Sequence, residues 1–283
     1  MEVAAIVGVG LIGGSFALAL KKAGFAGRVL GVSSESTLRA ALETGAIDEG
    51  VSLAEAAARA DLIYLAQPIG RILDTLHHLD GHLRPGMLVT DAGSTKEAIV
   101  AQAARSVTRC QFLGGHPMAG KEKRGVGAAD ADLFVGRTYI LTPRERHELD
   151  TPAAQEFRDW LRRMGAKPFV LDPAEHDRIV SYTSHLAQLV STALGATVAD
   201  QIGEDELAIS GPGLRDTTRL ALSAYDLWRD IIATNAGHID RALSDCIQKL
   251  DYMRQNLRTR QLQEEFERAG KLAARLRGSG SAK

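Results

Sequence analysis

Over the first 170 residues, short apolar runs rich in Val, Ile and Leu alternate with longer stretches whose apolar positions recur at helical period. The runs predict strands at Val3–Val7, Arg28–Val32, Leu62–Leu65, Leu88–Asp91, Gln111–Leu113, Tyr139–Leu141 and Pro168–Leu171. Helix-length segments fall between them at Ser15–Ala23, Thr37–Thr44, Gly70–Leu79, Lys96–Ala104 and Pro152–Met164. This alternation argues for an α/β fold on a mostly parallel, doubly wound sheet, with later strands free to extend one edge antiparallel. After Leu171 no strand pattern follows. Asp172 and Pro173 form an N-cap with proline at the first helical position, and one long helix can run from there to about Ile202. The loop SGPG, 210–213, precedes a short helix from about Arg215 to Ser223. A long helical pattern then covers Tyr225 to Arg258, and a last one Gln263 to Arg277. The tail GSGSAK, 278–283, has the composition of a disordered end.

The change near residue 172 divides the chain into a sheet domain, 1–172, and an all-helical domain, 173–283. The long helical pattern carries apolar residues on more than one face: Trp228, Ile231, Ile232, Ile239, Leu243, Ile247 and Leu250. Such a helix needs partners on several sides, so a homodimer through the C-terminal helices is expected. Composition narrows the class. At 45% hydrophobic and 24% charged over 283 residues, the chain can bury a substantial core, and its net charge of −1 gives no field favouring nucleic acid or an anionic membrane. No apolar run is long enough to span a bilayer and no basic leader precedes the first strand, so a cytoplasmic protein is expected. Cys110 and Cys246 match neither metal nor redox spacing, and no metal site is expected.

The stretch AAIVGVGLIGGS sets Gly8-x-Gly10-x-x-Gly13, with Leu11 and Ile12 between, where a strand turns into a helix. The first glycine permits the tight turn, the second lets a pyrophosphate approach bare backbone, and the third lets helix pack on strand. With a second strand on schedule, this marks residues 1–172 as a Rossmann-type dinucleotide-binding domain. The second strand ends in Ser33–Ser34 rather than in the acid that binds a ribose 2′-hydroxyl. Two hydroxyls there, with Arg39 a turn or so on, favour NADP over NAD, although Glu35 opposes this. Three other strand ends carry candidate chemistry. YLAQP offers Gln67 and Pro68 to line a nicotinamide, VTDAGSTK offers Ser94 and Lys96, and FLGGHPMAG offers His116 ahead of a proline that restricts it to extended backbone.

In the helical half, Ile179, Leu186, Leu189, Val190, Ala193 and Leu194 share one face of the helix from Pro173. Ser181, His185, Gln188 and Thr192 form a separate polar stripe, the pattern of a helix lining a cavity. Asp216 and Arg219 stand three apart, on one side of a helical turn.

The motifs GVGLIGGS, DAGSTK, GGHPMAGKEKRG, SHLAQLVSTAL and GPGLRDTTRLA, in that order, resemble the prephenate/arogenate dehydrogenase family of tyrosine biosynthesis, over residues 3 to about 250. The resemblance implies a Rossmann domain followed by a helical dimerisation domain, on the plan of 6-phosphogluconate dehydrogenase. It also implies oxidation at a ring carbon bearing a hydroxyl, hydride passing to NADP or NAD while the ring carboxylate leaves as CO2. On this basis His116 contacts the substrate hydroxyl as base, with Ser94 assisting. A mostly neutral imidazole suits that task. His185 and Arg219 bind substrate, Arg219 as the main carboxylate anchor, with Asp216 orienting it or meeting an amino group, and Glu122 at the pocket rim. Two other readings stay open: a β-hydroxyacid dehydrogenase or imine reductase of the same plan, and a non-catalytic NADP-sensing protein. Prephenate and arogenate are not separated by these residues. With no length before residue 3 or after 277 for a further domain, any inhibition by tyrosine is expected to compete at the active site.

Overall fold

The computed structural model describes residues 1–278; the expected tail lies outside them except for Gly278, which closes the last helix. Eight strands form one sheet: β1 Val3–Val7, β2 Arg28–Val32, β3 Glu49–Gly50, β4 Leu62–Leu65, β5 Leu88–Asp91, β6 Gln111–Pro117, β7 Thr138–Thr142 and β8 Lys167–Val170. Their order is β3-β2-β1-β4-β5-β6-β7-β8. The pairs from β3 to β6 are parallel, β7 runs antiparallel to β6 with His116 opposite Ile140, and β8 is parallel to β7. The doubly wound sheet with an antiparallel extension is thus the architecture its residues predict.

Helices α1 Leu11–Lys22, α2 Glu35–Glu43, α3 Leu53–Arg59, α4 Ile69–Leu79, α5 Glu97–Ser106 and α6 Pro152–Arg163 cover the sheet. Because helices lie on both faces, β1 and β4 are apolar throughout rather than alternating; every residue of β4, LIYL, is buried. One core gathers Phe16, Leu20, Tyr64, Phe134 and Phe157, with Phe16 stacked on Tyr64 at 3.9 Å. The other, across the sheet, gathers Leu30, Ile63, Leu65, Ile72 and Val89. Two elements escape the periodicity. β3 is only two residues long, and α3 is announced by a capping box, Ser52 with Glu55, rather than by its alanine-rich body.

The helical half departs from its pattern at three points. The helix expected from Pro173 is present, with Asp172 capping the Ala174 amide, but it is α7 Pro173–Val180, a π turn Ser181–His185, and α8 Leu186–Gln201. The short helix starts earlier than expected, at Pro212, as α9 Pro212–Thr218, and tightens into a 3-10 turn at Arg219–Leu222, so Arg219 lies past the regular helix. The long pattern breaks at Asn235, whose backbone is non-helical (φ −128°, ψ 25°), giving α10 Tyr225–Thr234 and α11 Ala236–Gln255; α12 is Gln263–Gly278. By compactness, Met1–Ala236 form one unit and the residues from Gly237 a second. Within the second, Lys249 of α11 pairs with Glu265 of α12 at 2.6 Å. Among the described residues no helix is long and apolar enough to cross a membrane.

The turn between β1 and α1 is sterically tight at one glycine and open at another. A Cβ on Gly13 would stand 2.2 Å from the Gly8 carbonyl oxygen and 2.8 Å from Ile6, whereas one on Gly10 would meet nothing within 4 Å. Gly13→Ala is expected to cost about 1–3 kcal/mol and lower the melting temperature by several degrees, with Gly10→Ala close to the parent. Thermal denaturation of both variants checks this; equal melting temperatures would contradict it.

Candidate active site

The carboxyl end of β5 carries a fully buried acid. Asp91 accepts the Gly115 amide at 3.0 Å and the Gly93 amide at 2.8 Å, and pairs with the equally buried ammonium of Lys96. Lys96 also donates to the Gly115 carbonyl at 2.7 Å. Burial lowers the Lys96 pKa against the opposing pull of Asp91. Lys96 is therefore a clasp holding the end of β6 to β5, not a cation presented to a ligand. Gly115 makes the clasp possible, since a Cβ there would stand 2.6 Å from the Asp91 carbonyl oxygen.

The clasp fixes where β6 delivers His116. Its Nδ1 lies 2.8 Å from Nε2 of His176 on α7, and His176 Nδ1 lies 2.7 Å from Asp177 Oδ1. The Asp177 carboxylate also accepts the Lys96 amide at 2.7 Å and the Glu97 amide at 3.0 Å, closing the N-terminus of α5. His176 and Asp177 are fully buried, and His116 is half-buried. Burial, helped by the nearby His176, Lys96 and His185, holds the His116 imidazole well below its ordinary pKa of 6.5. Burial also lowers His176, against the hydrogen bond that His176 makes to Asp177.

The polar stripe of the helix from Pro173 faces this network. Ser181, His185 and Gln188 are buried, Thr192 is exposed, and the apolar positions Val190 and Ala193 are exposed. His185 packs edge-on to Trp228 with ring centroids 5.8 Å apart, and burial drives its pKa down to about 4. Asn235 donates to His185 Nδ1 at 3.3 Å and to the Asp177 carbonyl at 2.9 Å, which is why the helix stops at that residue. Thr234 and Thr95 join hydroxyls at 2.8 Å, and Asp230 takes the Gly70 amide at 2.9 Å, seating α10 on the sheet domain.

A crevice of about 420 Å³ opens over the strand ends, lined among others by Leu11, Ile12, Gln67, Pro68, Ser94 and Lys123. Five of the predicted cofactor and catalytic residues thus share one wall. Gly8, at φ +92°, donates its amide to the Val32 carbonyl at 2.9 Å, which brings the glycine turn beside the end of β2. With open space over Gly10 and α1 starting at Leu11, the turn fits the diphosphate of a dinucleotide. At the end of β2, Ser33 is exposed while Ser34 caps α2 through the Thr37 amide. Arg39 pairs with Glu35 at 3.5 Å.

Arg219 points its guanidinium to Glu122 at 3.5 Å, joining the helical half to the loop that follows His116; both side chains are largely exposed. The ion pair formed is with Glu122 rather than with Asp216, which is exposed.

Residues 16–170 match the nucleotide-binding domain of prephenate dehydrogenase, and residues 172–271 match its dimerization domain. The chain belongs to the prephenate dehydrogenase family. It is 38% identical over 235 residues to the prephenate dehydrogenase of Lactococcus lactis, across 81% of this chain and 64% of that protein, so it spans just under two thirds of that relative's length. The prephenate dehydrogenase of Aquifex aeolicus, solved with hydroxyphenyl propionate and NAD+, superposes with a TM-score of 0.88 at 29% identity over 98% of both chains. The arogenate dehydrogenase of Synechocystis does so with 0.80 at 33% identity over 99% of both.

The residues that sequence reasoning passed over are His176, Asp177 and Asp91. A signal for two of them existed: one step of four back from Ser181 along the polar stripe lands on Asp177, with His176 beside it.

Three imidazoles kept below 6.5 have a consequence for stability. In the unfolded chain each titrates near 6.5, so just below that pH the unfolded state binds more protons and stability rises with pH. The melting temperature should therefore fall as pH drops from 7 through 6.5 towards 5, before the carboxylates titrate. Thermal denaturation across this range checks it, and an unchanged melting temperature would contradict it.

Proposed function

We propose that this chain oxidatively decarboxylates prephenate or arogenate, with a nicotinamide dinucleotide as hydride acceptor. The observation that carries the reading is the half-buried imidazole of His116, held below its ordinary pKa and anchored through its Nδ1 at the end of β6, whose following loop lines the crevice with Ala119 and Gly120. As hydride leaves the ring carbon, carbonyl character develops at the hydroxyl, and His116 takes the proton that the oxygen sheds. Ser94, on the crevice wall, assists by a hydrogen bond to the same hydroxyl. The bound nicotinamide supplies the hydride acceptor, and Gln67 and Pro68 line its position. Arg219 releases Glu122 to meet a substrate carboxylate, since an arginine fork matches a carboxylate bidentately. His185 receives a proton-bearing nitrogen from its contact with Asn235 and donates to the substrate, while Asp216 and Glu122 line the rim.

NADP is the preferred cofactor. No acid stands at Ser33 or Ser34 to repel a 2′-phosphate, and Arg39 is one exchange of partner away, from Glu35 to that phosphate. The division at residue 172 separates the cofactor-binding half, which also carries His116, Ser94 and Glu122, from the half that supplies His185, Asp216, Arg219 and the dimer. The homodimer covers the apolar residues left open on the helical half, among them Val190, Leu222 and Ile247. The chain works in the cytoplasm.

Replacing His116 by Asn should lower kcat by roughly 10²–10⁴-fold with cofactor affinity unchanged, as measured by steady-state turnover and cofactor titration. Near-normal turnover would remove His116 from the chemistry. Arg219→Ala should raise the substrate KM by about tenfold or more, the worth of a charge-assisted bond; an unchanged KM would reassign the anchor. Rates for prephenate and arogenate with NADP and NAD test the whole reading, with NADP giving the higher kcat/KM, and turnover of neither acid would overturn it.

A further inference from the structure

The reading of His116 as base leaves unexplained why a second, fully buried imidazole sits against it. Each gap in the series Asp177–His176–His116 is a hydrogen bond of 2.7 or 2.8 Å and holds one proton. The direction of those protons follows from the far end. Asp177 Oδ1 already accepts a main-chain amide from Lys96 and Oδ2 one from Glu97, and an amide can only donate. An imidazole beside such a carboxylate offers it an N–H, so His176 carries its proton on Nδ1. His176 Nε2 is then a lone pair, and His116 Nδ1, which faces it at 2.8 Å, must donate. That leaves His116 Nε2 bare.

We propose that His176, oriented by Asp177, is a positioning residue that fixes the tautomer of His116, keeping the proton on Nδ1 and the lone pair on Nε2 for the substrate hydroxyl. The inference rests on His116 being the base. A free neutral imidazole exchanges its proton between the two nitrogens, and only one of the two forms can accept the hydroxyl hydrogen. A buried carboxylate that holds a catalytic imidazole in one tautomer is the logic of the hydrolase triad; here an imidazole is interposed, extending the reach of a carboxylate that also caps a helix. When His116 takes the proton, its Nδ1–H becomes a stronger donor to His176, and the Asp177 charge stabilises the cation through that ring.

The test uses the full-length enzyme and three variants, H176L, H176Q and H116N, with the substrate and nicotinamide cofactor it turns over. Glutamine can accept from His116 with its carbonyl while donating its amide to Asp177, preserving the order of donors; leucine can do neither. H176L should lose kcat by roughly 10²-fold with the substrate KM little changed, and H176Q should recover most of that loss. Nitrogen-15 NMR of the resting enzyme should show His116 protonated at Nδ1 and bare at Nε2 in the parent and in H176Q, with that bias lost in H176L. A parent His116 protonated at Nε2, an H176L enzyme close to the parent in kcat, or a folded H176Q with no recovery would each overturn the proposal. H116N separates the two ideas: normal turnover in H116N refutes the base itself, whereas the nitrogen spectrum of the parent reports on the tautomer regardless of turnover.

Discussion

A single buried carboxylate ties the two halves of the site together. Asp177 belongs to α7, yet its oxygens receive the amides that open α5, the helix following β5. A carboxylate taken out of water is costly unless its lone pairs are filled, and here two main-chain amides and an imidazole fill them. Because main-chain amides cannot rotate away, the acid is held by the backbone of the sheet domain, and His176 and His116 are held in turn by the acid. The position of the His116 imidazole is thus set from two directions, by β6 and by α7.

The same site keeps its charges compensated. The Lys96 ammonium is spent on Asp91 and the Gly115 carbonyl, and burial keeps the three imidazoles neutral. Arg219 and Lys123 are exposed, Lys123 on the crevice lining and Arg219 paired with Glu122.

Most of the sheet was legible because strands covered on both faces are continuous apolar runs, and each such run ends at a residue type that makes a turn or a cap. The glycine fingerprint, His116 and the polar stripe were legible for the same reason: each breaks a local pattern that packing alone would keep. β3 was not, since two residues carry no periodicity. The break at Asn235 was passed over although Thr234, Asn235 and Gly237 are weak helix formers, because the apolar period continues across it; the bonds Asn235 makes there, to His185 and the Asp177 carbonyl, are distant in sequence. On the helix from Pro173 most of the polar stripe, Ser181, His185 and Gln188, is buried, while Val190 and Ala193 of the apolar face are exposed. His176 looked like an ordinary residue of a first helical turn. Extending the polar stripe back from Ser181 points beside it, but its contact with His116, 60 residues away, is one that no local pattern encodes.

The central claim is that His116 Nε2 meets the hydroxyl of the reacting carbon. It is tested most directly by a crystal structure of the enzyme with its nicotinamide cofactor and a non-reacting analogue that keeps the ring hydroxyl. The account predicts His116 Nε2 at roughly 2.6–3.2 Å from that oxygen, with the nicotinamide on the opposite face of the carbon. An imidazole turned away, with another group or no group at the hydroxyl, would contradict it.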